Sequence, residues 1–200
     1  MGWHNGAKRS MPKAFVISHP EVVVDPTRPV PNWHLSARGI ERMTRFASSP
    51  IVDGVTAIFS STETKAIEAA QILGEVRHLP VAIRSGLEEI DRSASGFLPM
   101  PEFENTADGF FAEPERSVRG WERAIDAQAR IVRAIDRLLN DPPAGDIAVV
   151  THGGVGTLLL CDYLRVPITR KLDQTSQGHY WIFDTALRTV LHGWRPLENV

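Results

Sequence analysis

Short apolar runs that alternate with stretches of helical periodicity constrain this chain more than any other feature. Residues 14–18 (AFVIS), 56–59, 80–84 and 146–151 are brief and rich in Val, Ile, Phe and Ala, the pattern of strands buried on both faces. Helical patterns stand between them. Ser36 is a favoured N-cap, Leu35 and Ile40 have the spacing of a hydrophobic staple, and Met43 and Ala47 continue that face. Ser60-x-x-Glu63 reads as a capping box opening a helix through about Val76. Over residues 117–140, Val118, Trp121, Ile125, Val132, Ile135 and Leu139 form one apolar stripe. A Gly153-Gly154 turn leads into a helix ending near Leu164, with Pro167 beyond. Segments 178–184 and 188–194 pair as a closing antiparallel hairpin. Residues 21–33 are proline-rich surface chain, and 85–116 lack periodicity and are expected as an irregular lid or loop.

Such alternation predicts an α/β fold, a three-layer sandwich with a mostly parallel central sheet and helices on both faces. Residues 1–13 read as a flexible N-terminal tail and 14–200 as a single domain. A chain of 200 residues, 42% hydrophobic and 23% charged, is ordinary globular material, which sets aside disordered and fibrous classes. Its net charge of -2 gives no electrostatic reason to expect nucleic acid or an anionic membrane as partner. No apolar run is long enough to span a bilayer. The opening MGWHNGAKRSMPK is basic but lacks the apolar segment of a secretory signal. With one cysteine, Cys161, and therefore no internal disulfide, the expected location is the cytoplasm. Oligomeric state leaves no mark in the sequence.

Several chemistries lose their support. Cys161 sits among leucines in a helical pattern and reads as a packed, inert thiol. There is no G-x-S-x-G elbow, no G-x-x-x-x-G-K-[ST] loop, no full G-x-G-x-x-G fingerprint and no H-E-x-x-H. Neither a metal nor another cofactor is expected. What remains is a convergence. Ligands of open α/β sheets bind beyond the carboxyl ends of the strands, and three such ends carry Ser18-His19, Ser60-Ser61 and Thr151-His152-Gly153-Gly154.

These residues resemble the histidine phosphatases, the phosphoglycerate-mutase-like superfamily, over nearly the whole chain from Phe15 to about Trp194. The family's first strand ends in R-H-G, matched by Ser18-His19-Pro20. Its S-S segment with an arginine in the next helical turn is matched by Ser60-Ser61 and Lys65. Its L-x-E acid segment matches Leu87-Glu88-Glu89, and its S-H-G-G matches Thr151-His152-Gly153-Gly154. Trp33-x-Leu35-Ser36-x-x-Gly39 fits the opening of the first helix.

The resemblance implies a metal-independent phosphohydrolase working through a phosphohistidine on His19. Glu89 would be the proton donor, with Asp91 as its substitute. His152 and Lys65 would hold phosphoryl oxygens, helped by Ser18, Ser61, Thr151 and Gly153. The substrate would be a small phosphorylated molecule or a phosphoprotein.

Departures from the pattern open a second reading. Ser18 and Lys65 replace arginines, Pro20 replaces a glycine, and Asp25 falls where many members carry an asparagine. Lysine is a point charge where guanidinium grips phosphate through paired hydrogen bonds, and Pro20 removes a backbone N–H. A catalytically impaired binder of a phosphorylated ligand or protein is therefore the alternative, and a mutase a more distant one for so short a chain. Arg28, Arg38, Arg84 and Arg92 are the candidates to replace the lost arginine in space.

Each residue also has a plain reading. The plain reading of His19 is a surface histidine after an edge strand; Pro20, which holds it extended, and the partner at His152 favour the site reading over it. The plain reading of His152 is a satisfied core histidine; the glycines beside it, which let a ligand approach the backbone, favour a phosphate contact over it. Lys65 in a first helical turn opposes the macrodipole, a conflict that a bound anion would remove. Arg119, Arg123, Arg130, Arg133 and Arg137 read as a solvated helix face. Phe97, Phe103, Phe110 and Phe111 are available to cap a pocket or to pack the long loop.

Overall fold

The computed structural model describes residues 11–199, so the N-terminal expectation for residues 1–10 lies outside them. Lys13, assigned above to the tail, already belongs to the first strand, β1 (Lys13–Ser18). There follow α1 (Ala37–Ala47), β2 (Val55–Ser60), α2 (Thr64–Arg77), β3 (Val81–Ile83), α3 (Met100–Ala112), α4 (Ala124–Leu139), β4 (Asp146–Thr151), α5 (Gly153–Tyr163), β5 (His179–Asp184) and β6 (Val190–Pro196). The strands form one six-stranded sheet in the order β3-β2-β4-β1-β5-β6. From β3 to β1 the pairing is parallel, and β5 and β6 add the expected antiparallel hairpin.

Side-chain alternation along the buried strands builds two cores, one on each face. Phe15 and Ile17 of β1, with Ala148 and Val150 of β4, pack against Met43, Phe46, Ala69 and Leu73 of α1 and α2. Ala14, Val16, Ile147 and Val149 face the other way, onto Ile131, Ile135, Leu158 and Leu159 of α4 and α5. This is the three-layer α/β sandwich. A strand with both faces covered has no polar side, which is why these runs are continuously apolar.

Four local readings change. Ser36 does cap α1, accepting from Gly39 N at 3.1 Å. Ile40, however, is 47% exposed, so no staple forms; Leu35 is buried and bridges Val22 instead. The capping box at Ser60 is absent, because α2 begins at Thr64 and Ser60 still belongs to β2. Residues 85–116 are not wholly irregular: they contain α3, whose buried Thr106, Ala107, Phe110 and Phe111 have helical spacing. Pro101 in its first turn starts this helix rather than breaking it. Finally, α4 starts at Ala124, after a turn in which Arg119 and Gly120 take positive φ. The buried face is Ala124, Ala127, Ile131, Ala134 and Ile135, and Ile125 points outward. Trp121 is buried, but from the turn.

The segment after β1 is held against α1 at Gly39, where an added Cβ would lie 2.3 Å from the Glu21 carbonyl oxygen. Backbone cannot yield as a flexible side chain does. Gly39→Ala is expected to destabilise the fold by about 1–3 kcal/mol, read as a lower midpoint in urea or thermal unfolding.

Candidate functional site

Parallel register sets the site. Ser18 lies opposite Thr151 and Ser60 opposite Val150, so the next residue of each strand emerges at the same edge. The ladder continues one step past the strands: His19 N donates to Thr151 O at 3.1 Å and Ser61 N donates to Val150 O at 2.9 Å. His19 and His152 are thereby placed with ring centroids 5.2 Å apart and planes at 69°.

The His19 ring is oriented by its own neighbour. Its Nδ1 lies 2.9 Å from Pro20 O, and since a carbonyl only accepts, Nδ1 carries the proton and Nε2 keeps a free lone pair. Proline removes an N–H here but retains this carbonyl. His152 is fully buried; its Nε2 shares a hydrogen bond with Ser61 Oγ at 2.8 Å, and its Nδ1 is buried without a partner. Both imidazoles are held well below the ordinary histidine pKa of 6.5, above all by burial. For His19 the proximity of His152 and Lys65 adds to this, and for His152 that of Lys65 and Arg92. Both rings are neutral near pH 7.

Lys65 is 3% exposed, and its charge is paired. Its ammonium donates to the Glu63 carboxylate and, at 3.1 Å, to Val30 O. Glu63 had been read as a capping residue; it is 7% exposed and lies in the site, with Oε1 3.5 Å from His152 Nε2 and accepting from Glu89 N at 2.8 Å. An acid two residues before the lysine, in a segment bound for the strand edge, was the available signal.

Glu89 caps α5. Its carboxylate accepts from Gly154 N at 3.2 Å and from Val155 N at 3.1 Å, which satisfies two free N–H groups of the helix N-terminus. Burial nevertheless raises its pKa, with Arg92 the leading opposing influence. Its backbone is held by Arg130, whose guanidinium bonds the carbonyls of Glu88 and Glu89 at 2.9 and 3.1 Å and the Glu122 carboxylate at 2.7 Å. Arg130 is thus not part of a solvated face. Glu89 also stands on the wall of a cavity of about 460 Å³ lined further by Glu88, Asp91, Gly120, Trp121, Glu122 and Arg130, with neither histidine among its lining residues.

Other expected site residues have structural employment. The Thr151 hydroxyl donates to Leu87 O at 2.7 Å, tying the Leu87-Glu88-Glu89 segment to β4 rather than facing the histidines. Ser18 Oγ bonds Gln174 Oε1 at 2.5 Å and accepts from His179 N at 3.0 Å. Gly153 lies under the Gln174 carboxamide, where a Cβ would meet Nε2 at 2.2 Å. Asp91 lines the same cavity as Glu89, but it accepts from Ser93 N at 2.9 Å, which holds its carboxyl low. Asp25 forms an exposed turn with Thr27.

Of the candidate arginines, Arg28 pairs with Asp25, Arg38 with Glu21, and Arg84 lies over Phe59. Arg92, stacked over Phe103 and Trp121, is the one whose charge acts on Glu89 and His152. Phe103, Phe110 and Phe111 pack around Trp121, and only Phe97 of the four is exposed, beside Trp33. Cys161 is buried, as expected of a packing thiol.

The sequence profile of the histidine phosphatase superfamily (branch 1) matches residues 26–184. The chain belongs to that superfamily. The match begins beyond His19, after the segment where Ser18 and Pro20 depart from the superfamily pattern. No curated protein matches in sequence. Among solved structures, mycobacterial glucosyl-3-phosphoglycerate phosphatase is similar at 19% identity and TM-score 0.71, over 93% of this chain and 97% of that one. Bacillus stearothermophilus YhfR is similar at 21% identity and TM-score 0.75, over 90% and 94%. A phosphoserine phosphatase variant of Entamoeba histolytica in complex with phosphoserine is similar at 18% identity and TM-score 0.71, over 86% and 90%. At these identities the likeness is one of superfamily fold. Among the described residues, no helix is long and apolar enough to cross a membrane.

The buried Lys65–Glu63 pair sets a test of this site. Removing the lysine leaves a carboxylate buried without its cation, so Lys65→Met is expected to destabilise by about 3–5 kcal/mol. The double variant Lys65→Met/Glu63→Leu should recover most of that loss in chemical unfolding.

Proposed function

We propose that this histidine phosphatase superfamily member hydrolyses phosphomonoesters through a phosphohistidine on His19. The observation that carries the reading is the bare Nε2 of a neutral His19, fixed by the Nδ1–H to Pro20 O bond and set beside His152. A neutral imidazole is a competent nucleophile, and a covalent intermediate divides one hard hydrolysis into two easier steps.

In the first step Nε2 attacks phosphorus, the P–O ester bond breaks, and Glu89 gives its proton to the departing oxygen. Burial raises the pKa of Glu89 toward this duty, while Asp91 is held low by Ser93. His152 directs its unpartnered Nδ1 to a phosphoryl oxygen, with Ser61 fixing the ring from Nε2. In the second step the Glu89 carboxylate takes a proton from water, whose oxygen attacks phosphorus. The P–N bond breaks, orthophosphate leaves, and His19 is regenerated. Small phosphorylated molecules are the substrate class, and none of these steps calls for a metal.

One observation favours the slower, binding-only reading: Lys65 already shares its charge with Glu63, so the pocket offers a phosphate dianion less net attraction than a free cation would. Turnover separates the two. The proposal predicts hydrolysis of p-nitrophenyl phosphate and an acid-labile phosphoryl group on the wild-type protein, both lost in His19→Ala with a rate fall of roughly 1,000-fold or more. Equal rates for the two proteins would overturn it.

The pH profile follows from the same groups. His19 must be neutral and its pKa is lowered, so activity is lost on the acid side only below about pH 6.5. Glu89 must be protonated and its pKa is raised, so activity declines as pH rises through that value. Glu89→Gln is expected to remove the alkaline decline and slow alkyl phosphates by about 100- to 10,000-fold. The effect should be smaller on p-nitrophenyl phosphate, whose leaving group needs little protonation.

A further inference from the structure

The superfamily arginine that precedes the first histidine is Ser18 here, and the contacts of that serine lead to a residue from a distant loop. Ser18 Oγ bonds Gln174 Oε1 at 2.5 Å and is locked from behind, accepting from His179 N at 3.0 Å. Gln174 comes from the segment between α5 and β5. Its backbone N donates to Asp173 Oδ1 at 2.8 Å, and that carboxylate accepts from Thr157 Oγ1 of α5, also at 2.8 Å. The carboxamide is therefore fixed at its oxygen by β1 and at its backbone by α5. Its Nε2 packs directly on Gly153, where a Cβ would come within 2.2 Å. Ser18 adjoins His19 and Gly153 adjoins His152, so the amide spans the two strand ends that carry the imidazoles.

We propose that Gln174 is a phosphoryl-binding residue of this site, its Nε2–H donating to a phosphoryl oxygen held between His19 and Gly153. The proposal rests on the phosphatase reading of the same site and adds to it the residue that replaces the missing arginine. Ser18 polarises and orients the amide by bonding its oxygen, which leaves the NH₂ as the free end. A neutral donor is consistent with the neutral imidazoles around it, and it accounts for the tolerance of serine at position 18. Gly153 matters through this close approach, since any side chain there would displace the amide.

Orthovanadate and inorganic phosphate are the probes, titrated calorimetrically into wild type, Gln174→Glu and Gln174→Met. Both variants are close in size to glutamine, and their unfolding midpoints show whether the segment stays in place. The proposal predicts vanadate binding weakened by about 10- to 100-fold in Gln174→Met. It predicts at least as large a loss in Gln174→Glu, where a carboxylate faces the anion. Vanadate bound as tightly by folded Gln174→Met as by wild type would overturn the role of Gln174 while leaving the phosphatase reading intact. If one variant is unfolded, the other and Gln174→Ser decide by the same titration. Phosphohistidine formation on wild-type His19 is measured alongside. Its absence together with Gln174-dependent vanadate binding would overturn the hydrolytic reading and support Gln174 as an anion-binding residue. Failure of wild type to bind either probe would overturn both.

Discussion

The site depends on one constraint: two parallel strands in fixed register end in histidines that the surrounding core keeps uncharged. Ser18 faces Thr151 across the β1–β4 ladder, and one further backbone bond, His19 N to Thr151 O, carries the register into the loop. A slip of one residue in either strand would turn its ring to the opposite face of the sheet, away from the other. Burial then prevents either ring from becoming an imidazolium near neutrality. In the proposed mechanism this supplies a nucleophile without a base to deprotonate it, because desolvation already favours the neutral ring.

Charge in the pocket is balanced rather than strongly positive. Lys65 and Glu63 neutralise one another, Glu89 sits among the N–H groups of α5, and Arg92 supplies a positive field from its stack on Phe103 and Trp121. With serine and lysine at the superfamily's arginine positions, the proposed site would lean on oriented neutral donors. Such donors act through position, since they are already aimed when charge develops. In the proposed mechanism the contacts that orient these groups matter as much as the groups themselves: Pro20 O on His19, Ser61 on His152, and Arg130 on the Glu89 backbone.

Strands β1, β2 and β4 were legible because burial on both faces leaves no other pattern, and the histidines were legible because they follow those strands directly. Thr151 shared that placement, but its side chain points back to Leu87 O; a strand position determines the edge, not the direction of a hydroxyl. The α3 helix was hidden by Pro99, Pro101 and Gly109, whose usual meaning is a break, although two of them lie at a helix start where proline is tolerated. Glu63 was misread because a capping box and a buried acid share the same local spacing. Gln174 carried no local signal at all. Its position depends on the loop after α5 folding back over Ser18, 156 residues away in sequence, and only the assembled sheet brings the two together.

The central claim concerns the protonation state of His19, which ¹⁵N NMR of the imidazole nitrogens reads directly. At pH 6.5 the account predicts a neutral ring with the proton on Nδ1 and a bare Nε2, its titration midpoint displaced below the usual histidine value. An imidazolium at that pH, or a proton on Nε2, would contradict it.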